Sequence, residues 1–98
     1  MSINQTPIKL LVQQAVQYLK NNGYSYSSIQ RYNKCWRTLL DICQREHIQY
    51  YCHEQCFPLM LAAWGIDLAD NISPYQRFQM RSLKCLCDFQ DTGATLSP

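Results

Sequence analysis

The chain has 98 residues, a hydrophobic content of 47% and a formal net charge of +2. This length suits one small domain with a single packed core, and three glycines and four prolines are too few for a turn-rich β-sandwich or a low-complexity linker. No apolar run is long enough to span a membrane and the first residues do not form a signal peptide, so a cytoplasmic protein is expected.

The first predicted helix covers about residues 7 to 22. Thr6 is a candidate cap for its free amides, and Pro7 suits the first helical position. Asn22 and Gly23 end the helix, because glycine readily takes the left-handed conformation that follows a helix.

The second helix is predicted from about residues 25–28 to His47, with Ser25 and Ser27 as candidate caps. Its apolar and basic residues separate onto two sides at about 100° per residue. The apolar side holds Ile29, Tyr32, Trp36, Leu39, Leu40 and Cys43. The other side holds Arg31, Lys34, Thr38 and Arg45, with Arg37 further round.

The third helix is predicted at about residues 53 to 64. Pro58 fits best in a first helical turn, which favours a start nearer Gln55. Its apolar side is formed by Cys56, Leu59, Met60, Ala63 and Trp64.

The fourth helix begins after Ser73, since Ser73, Pro74 and Gln76 form a capping-box pattern with proline at the first position. Thr92 and Gly93 end it. The predicted core stripe contains Tyr75, Phe78, Cys85, Leu86 and Phe89. Arg77, Arg81 and Lys84 follow at i, i+4 and i+7 and form one line along the helix.

Four helices with short connections and no credible strand predict an all-α, compact four-helix bundle. The bundle should occupy residues 1–93, and residues 94–98 are expected to be the start of a linker.

Six cysteines is a high count for this length. Without a signal peptide, reduced thiols are expected in place of a disulfide framework. Cys35 and Cys43 fall in an apolar stripe, and Cys85 lies near Phe78 and Phe89, where buried thiols act as small hydrophobic side chains.

Metal binding and nucleophilic catalysis are both weakly indicated. The segments 52–56 and 85–87 hold four thiols and one imidazole, but their spacing differs from that of a zinc finger. A cysteine paired with His47 or His53 lacks an orienting acid or an oxyanion hole in its sequence context. No metal, cofactor or catalytic residue is therefore predicted.

The basic residues carry the functional hypothesis, because seven of the nine Lys and Arg residues fall on the second and fourth helices. Arginine offers a planar fork to phosphate or guanine, and lysine a mobile point charge. Polar side chains interleave them: Gln30, Asn33, Thr38 and Gln79. Asp41 and Asp88 lie close to the two stripes, and Asp88 with Asp91 should limit the basic surface to the first half of the fourth helix.

The helix starts also resemble those of a known family. Tyr18-Leu19-Lys20 and the segment 23–32 (Gly-Tyr-Ser-Tyr-Ser-Ser-Ile-Gln-Arg-Tyr) resemble the opening of the core-binding domain of tyrosine recombinases, the phage integrase family. The spacing from Trp36 to Leu40 and the segment 73–89 are similar to the same domain. The resemblance covers about residues 7–93 and consists of apolar positions and caps, with no catalytic signature.

This resemblance implies a SAM-like helical domain that forms half of a clamp around double-stranded DNA, together with other recombinase protomers. Its second and fourth helices would lie against the major groove, and the two serines would donate to phosphate with the helix amides. The implied DNA-binding residues are Ser27, Ser28, Arg31, Lys34, Thr38, Arg45, Arg77, Arg81 and Lys84.

The family cuts DNA with a tyrosine in a separate C-terminal domain, which this chain does not contain. The resemblance therefore implies that none of the seven tyrosines is a nucleophile and that the chain is not itself an enzyme. Neither a membrane nor a small-molecule substrate is expected as a partner.

A helical protein–protein interaction module is the alternative, since SAM-like folds also bind proteins. The modest net charge favours it, as do four acidic residues near the third and fourth helices: Asp67, Asp70, Asp88 and Asp91.

Overall fold

The computed structural model describes residues 6–93, which form four α-helices. These are α1 (Ile8–Asn21), α2 (Tyr26–Arg45), α3 (His53–Trp64) and α4 (Pro74–Thr92). Within this range there is no strand beyond a single antiparallel bridge between Pro7 and Tyr50. The prediction of an all-α four-helix bundle is confirmed, and the predicted linker at 94–98 lies outside the described residues.

Two serines start the helices that carry the basic residues. The Ser25 side chain accepts from the Ser28 amide at 3.2 Å, so Ser25, and not Ser27, caps α2. Ser73 accepts from the Gln76 amide at 3.1 Å, and the Gln76 side chain accepts from the Ser73 amide at 3.0 Å. This reciprocal pair is the predicted capping box, and it satisfies two otherwise free amides at the start of α4.

The predicted start of α1 was wrong in detail. Pro7 occupies the cap position without a side-chain hydrogen bond, and Thr6 does not cap the helix. The Ile8 amide donates instead to the Gln49 carbonyl at 2.9 Å. The segment that follows α2 thus satisfies the first amide of α1, and it also holds the start of α1 against the end of α2.

The predicted range of α3, about residues 53 to 64, is confirmed, but the later start near Gln55 was wrong, because the helix begins at His53 and Pro58 is its sixth residue. Proline there removes one hydrogen bond, to the carbonyl of Glu54. Glu54 and Pro58 are both exposed, so water can reach that carbonyl. The cost is therefore limited to one turn near the helix end, and α3 continues through the proline.

The centre of the fold is the contact between Trp36 of α2 and Ser82 of α4. Trp36 is 0% exposed, and its indole Nε1 donates to the Ser82 carbonyl at 2.9 Å. Ser82 is equally buried, and its hydroxyl donates to the Gln79 carbonyl at 2.6 Å. The small serine side chain lets the indole reach the backbone of α4. Other fully buried side chains surround this contact: Leu19, Leu39, Met60, Leu83 and Leu86.

Two contacts show that α2 and α4 run in the same direction. The rings of Tyr32 and Phe78 have their centroids 4.9 Å apart, and Trp36 bonds to Ser82 four residues further along both helices. Both pairs are separated by 46 positions in the sequence. The capped N-termini of α2 and α4 therefore lie at the same end of the bundle.

Tyr51 fastens the connection between α2 and α3 onto α4. It is 3% exposed, and its hydroxyl donates to the Leu83 carbonyl at 3.3 Å. Gln90 returns a bond from its side-chain amide to the Tyr51 carbonyl at 3.1 Å. Tyr51 is thus buried, while its neighbour Tyr50 stays exposed.

The cysteines mostly pack as expected. All six are free, and Cys35, Cys43, Cys56 and Cys85 are buried. The Cys43 and Cys56 sulfur atoms are 4.0 Å apart and join α2 to α3.

Two residues assigned to the core by spacing are exposed. Tyr75, in the first turn of α4, is 52% exposed, and Ala63 lies on the outer side of α3. Periodicity places Tyr75 on the core side of its helix, but no neighbouring helix covers that first turn.

Replacing Trp36 with Phe should lower the free energy of unfolding by about 1–3 kcal/mol, because it removes the buried donor and leaves unfilled space. The measurement is urea unfolding followed by circular dichroism. Trp64→Phe is the matched control, since Trp64 is only half-buried at the end of α3. An equal cost for both variants would contradict the central role of the Trp36 contact.

Replacing His47 with Gly should raise the free energy of unfolding by about 0.5–1 kcal/mol. His47 has a φ of 60° at the end of α2, where the Ile48 amide donates to the Cys43 carbonyl at 2.8 Å. Glycine takes this left-handed conformation without the strain of a β-carbon. His47→Ala keeps the β-carbon, so thermal unfolding should show no gain for it; equal gains would refute the backbone explanation.

Candidate nucleic-acid interface

The predicted basic side chains are at the surface. Arg31, Lys34, Arg77, Arg81 and Lys84 are exposed, and Thr38 is half-buried. On α2 and α4 they occupy the sides that face away from the core, as the 100° spacing predicted. We call these six residues the basic face: Arg31, Lys34, Thr38, Arg77, Arg81 and Lys84.

The contact between α2 and α4 brings the two stripes to matching heights. The separation of 46 positions that pairs Trp36 with Ser82 also pairs Arg31 with Arg77 and Thr38 with Lys84. Since the helices run in the same direction, Arg31 lies level with Arg77, and Thr38 lies level with Lys84.

The α2 stripe borders one edge of the α2–α4 contact. Arg31 and Thr38 lie one turn either side of Cys35, which hydrogen-bonds to the Ser82 side chain. The opposite edge is covered by α1, which meets α4 where the rings of Tyr18 and Phe89 lie 5.5 Å apart. The α2 stripe is therefore on the side of α2 that faces away from α1, and the cations of α4 lie beside α3.

Four cations of the basic face have no acidic partner. Among residues 6–93, ion pairs form only between Lys84 and Asp88, at 2.8 Å, and between Arg45 and Glu46, at 4.0 Å. Arg31, Lys34, Arg77 and Arg81 therefore remain available to an external anion. The hydrogen bond that Lys84 donates to Asp88 raises the pKa of Lys84, and the pairing weakens its attraction for other anions. Asp88 thus limits the basic surface of α4 as predicted.

Arg45 stands apart from the basic face. It follows Thr38 by seven residues, or about 10 Å along the helix. The same separation of 46 positions places the acidic Asp91 of α4 level with Arg45. The structure does not bring Arg45 together with the other predicted residues.

The polar side chains that were predicted to interleave with the cations are not all on the protein surface. Gln79 is buried and Asn33 is half-buried beside α1, so neither belongs to the basic face. Gln30 is exposed. The Thr38 hydroxyl donates to the Lys34 carbonyl at 3.4 Å, a bond that an external acceptor could replace.

Some of the serine groups at the start of α2 are already used in the hydrogen bonds that cap the helix. Ser25 donates to the Ser28 hydroxyl at 3.0 Å and also accepts from the Ser28 amide. Ser27 is exposed, and its amide and that of Tyr26 are the free amides of this helix end. Ser27 is thus better placed than Ser28 to meet a phosphate at this positive helix end.

A groove between α3 and α4 was not foreseen from the sequence. It has a volume of about 450 Å³ and is lined by His53, Phe57, Met80, Arg77, Arg81 and Lys84. We call it the α3–α4 groove. His53 and Phe57 are spaced i, i+4 on α3, and this spacing is the one sequence signal that places them on the same side of the helix. Nothing in the sequence showed that they would face the cations of α4.

His53 is held in place within this groove. The Tyr51 hydroxyl lies 2.7 Å from its Nδ1, and the ring centroids of His53 and Phe57 are 5.0 Å apart. Burial lowers the pKa of His53 below its ordinary value of 6.5, and the positive charge of Lys84 adds to this effect. The imidazole is therefore neutral at pH 7.

The thiols do not assemble into a metal centre in the part of the chain that the structure describes. No group of three or more His, Cys, Asp or Glu side chains is placed there to hold a metal ion. The Cys43–Cys56 contact instead lowers the pKa of Cys56 to about 7, since Cys43 donates to its sulfur. Across the same described residues, no helix has both the length and the apolar character of a membrane span.

Comparisons with protein-family models, with curated proteins and with solved structures gave no significant match.

The free energy of unfolding should fall as the pH is lowered from 7 to 5. Below pH 6.5 the unfolded chain binds a proton at His53 that the folded chain resists, so acid favours unfolding. Urea unfolding at several pH values measures this slope. His53→Gln should flatten it, whereas Cys52→Ser leaves the imidazole in place and should keep it. An unchanged slope in His53→Gln would assign the acid sensitivity to other groups.

Proposed function

We propose that this chain binds duplex DNA through the basic face, as the DNA-binding domain of a site-specific tyrosine recombinase. It would clamp the duplex at a recombination site during DNA integration. The observation that carries the proposal is that Arg31 and Lys34 on α2 and Arg77 and Arg81 on α4 are exposed at matching heights, with no ion-pair partner among residues 6–93.

The spacing of these cations suits a phosphate backbone. Arg77 and Arg81 are one turn apart, about 6 Å along α4, and Arg31 of α2 lies level with Arg77. Guanidinium groups form paired hydrogen bonds with phosphate oxygens. Because no carboxylate holds these groups, DNA would not have to displace an internal partner.

Local charge matters more here than the total of +2. Four exposed cations of α2 and α4 without an ion-pair partner among residues 6–93 create a local positive potential. The free amides at the start of α2 add a partial positive charge at one end of the same helix. A phosphate backbone lying along α2 and α4 would meet both.

The recombinase resemblance implies that DNA binding and DNA cleavage belong to separate domains. The proposed role of this domain is recognition and clamping, together with other recombinase protomers on the DNA. A separate domain would cut and rejoin the strands.

A helical protein-interaction module is the second candidate, and exposed apolar side chains favour it. Leu68 is 59% exposed in the loop before α4, and Tyr26 and Tyr75 are exposed in the first turns of α2 and α4. Because these two helix starts share one end of the bundle, the tyrosines could contact a protein partner there.

Duplex binding should weaken steeply with salt, and removing a phosphate contact should reduce that dependence. Each contact contributes about 0.9 to the slope of log affinity against log salt on B-DNA. We therefore expect Arg31→Ala and Arg81→Ala each to weaken binding and to lower the slope by about 0.9. Fluorescence anisotropy with a labelled duplex at several salt concentrations measures both.

Arg37→Ala is the matched control, because Arg37 is an exposed arginine of α2 that lines the groove beside α1. It removes the same charge and should leave the slope unchanged. An effect equal to that of Arg31→Ala would show that the basic face is not the binding surface. Absence of duplex binding, with amide shifts unchanged at sub-millimolar DNA, would favour the protein-interaction module.

A further inference from the structure

We infer that the α3–α4 groove is a second nucleic-acid site, which takes an unstacked base of a single strand between His53, Phe57 and Met80 while the cations of α4 hold the flanking phosphates. The inference goes beyond the proposed duplex contact. The groove shares Arg77, Arg81 and Lys84 with the basic face, but its ring side chains lie outside that face.

The floor of the groove has the chemistry of a base-stacking platform. The rings of His53 and Phe57 lie 5.0 Å apart and are inclined by only 30°, so they stack on one another with an offset and form one aromatic cluster in the groove. Met80 extends this cluster with a polarisable thioether. Every nucleobase has a flat π-face that stacks on such side chains without a sequence requirement.

The edge of the groove supplies the charge that a nucleic acid strand needs. Arg77, Arg81 and Lys84 stand along about 10 Å of α4, and no acidic side chain lines the groove. Asp88 pairs with Lys84, which leaves the two arginines as the stronger anion contacts. A neutral ring surface beside a row of cations favours a ligand that is both aromatic and anionic.

The groove is also preorganised. The 2.7 Å contact with the Tyr51 hydroxyl fixes the His53 ring, and Tyr51 is itself bonded to the Leu83 carbonyl of α4. A fixed ring loses little conformational entropy when a base stacks on it. The volume of about 450 Å³ lies within the range of about 300–1,000 Å³ typical of ligand clefts.

Duplex DNA cannot use this surface in the same way. Paired bases are stacked on one another and present only their edges in the grooves. Only a single strand, or a strand opened from a duplex, can place a base face on the rings. Single-stranded and duplex ligands therefore separate the α3–α4 groove from the basic face.

The test measures fluorescence anisotropy of the full chain with four labelled probes at low salt. The probes are a 12-nucleotide oligothymidine, an abasic strand with the same number of phosphates, a 12-base-pair duplex and an oligoglutamate peptide. We expect oligothymidine to bind about 5- to 150-fold more tightly than the abasic strand, the stacking contribution of one base.

Phe57→Leu is the diagnostic variant, because it keeps an apolar side chain and removes the ring. It should abolish the preference for oligothymidine over the abasic strand and leave duplex binding within about twofold. Phe89→Leu is the matched control, since Phe89 is a half-buried aromatic of α4 that packs against Tyr18. It should retain the preference. Circular dichroism establishes that both variants fold.

Three results would overturn the inference: equal binding of the abasic strand and oligothymidine, equal effects of the two phenylalanine variants, or binding of the acidic peptide as tight as that of oligothymidine. The probe comparison needs no variant, so it decides the matter even if Phe57→Leu fails to fold. A stacking preference without duplex binding would overturn only the proposed function, and duplex binding without that preference would overturn only the groove.

Discussion

The hydrogen bond from the Trp36 indole to the Ser82 carbonyl sets the arrangement of this domain. A bond to a backbone carbonyl fixes both the position of Trp36 along α4 and the distance between Trp36 and that helix. Sliding α2 by one turn, about 5.4 Å, would break the bond and separate Arg31 from Arg77. The surface charge therefore depends on a contact buried in the core.

A nearly neutral chain can still present exposed cations that no carboxylate neutralises. Among residues 6–93, Asp88 pairs with only one cation of the basic face, Lys84, and Asp91 stands near the far end of α4. Desolvation and partner charges, more than net charge, determine which cations an external anion can reach. Among residues 6–93, Arg31 and Arg81 have no partner charge and stay accessible to an external anion, whereas Arg45 lies beside Glu46.

Local signals in the sequence predicted most of the helical structure. Ser73, Pro74 and Gln76 act within one turn, so the start of α4 was readable from the sequence, as were Gly23 and Gly93 at helix ends. Predictions failed where a distant residue intervened. Gln49 replaced Thr6 at the start of α1, and the burial of Tyr51 depends on Leu83 and Gln90 of α4.

The sequence by itself determined four helices and the side of each helix on which its cations lie, because helical periodicity fixes rotation about a helix's own axis. Only the tertiary structure decided that α2 and α4 run in the same direction, that Arg31 stands level with Arg77, and that Phe57 faces the cations of α4. Periodicity carries no information about the translation of one helix along another. That translation was fixed by Trp36 and Ser82, whose contact joins residues 46 positions apart.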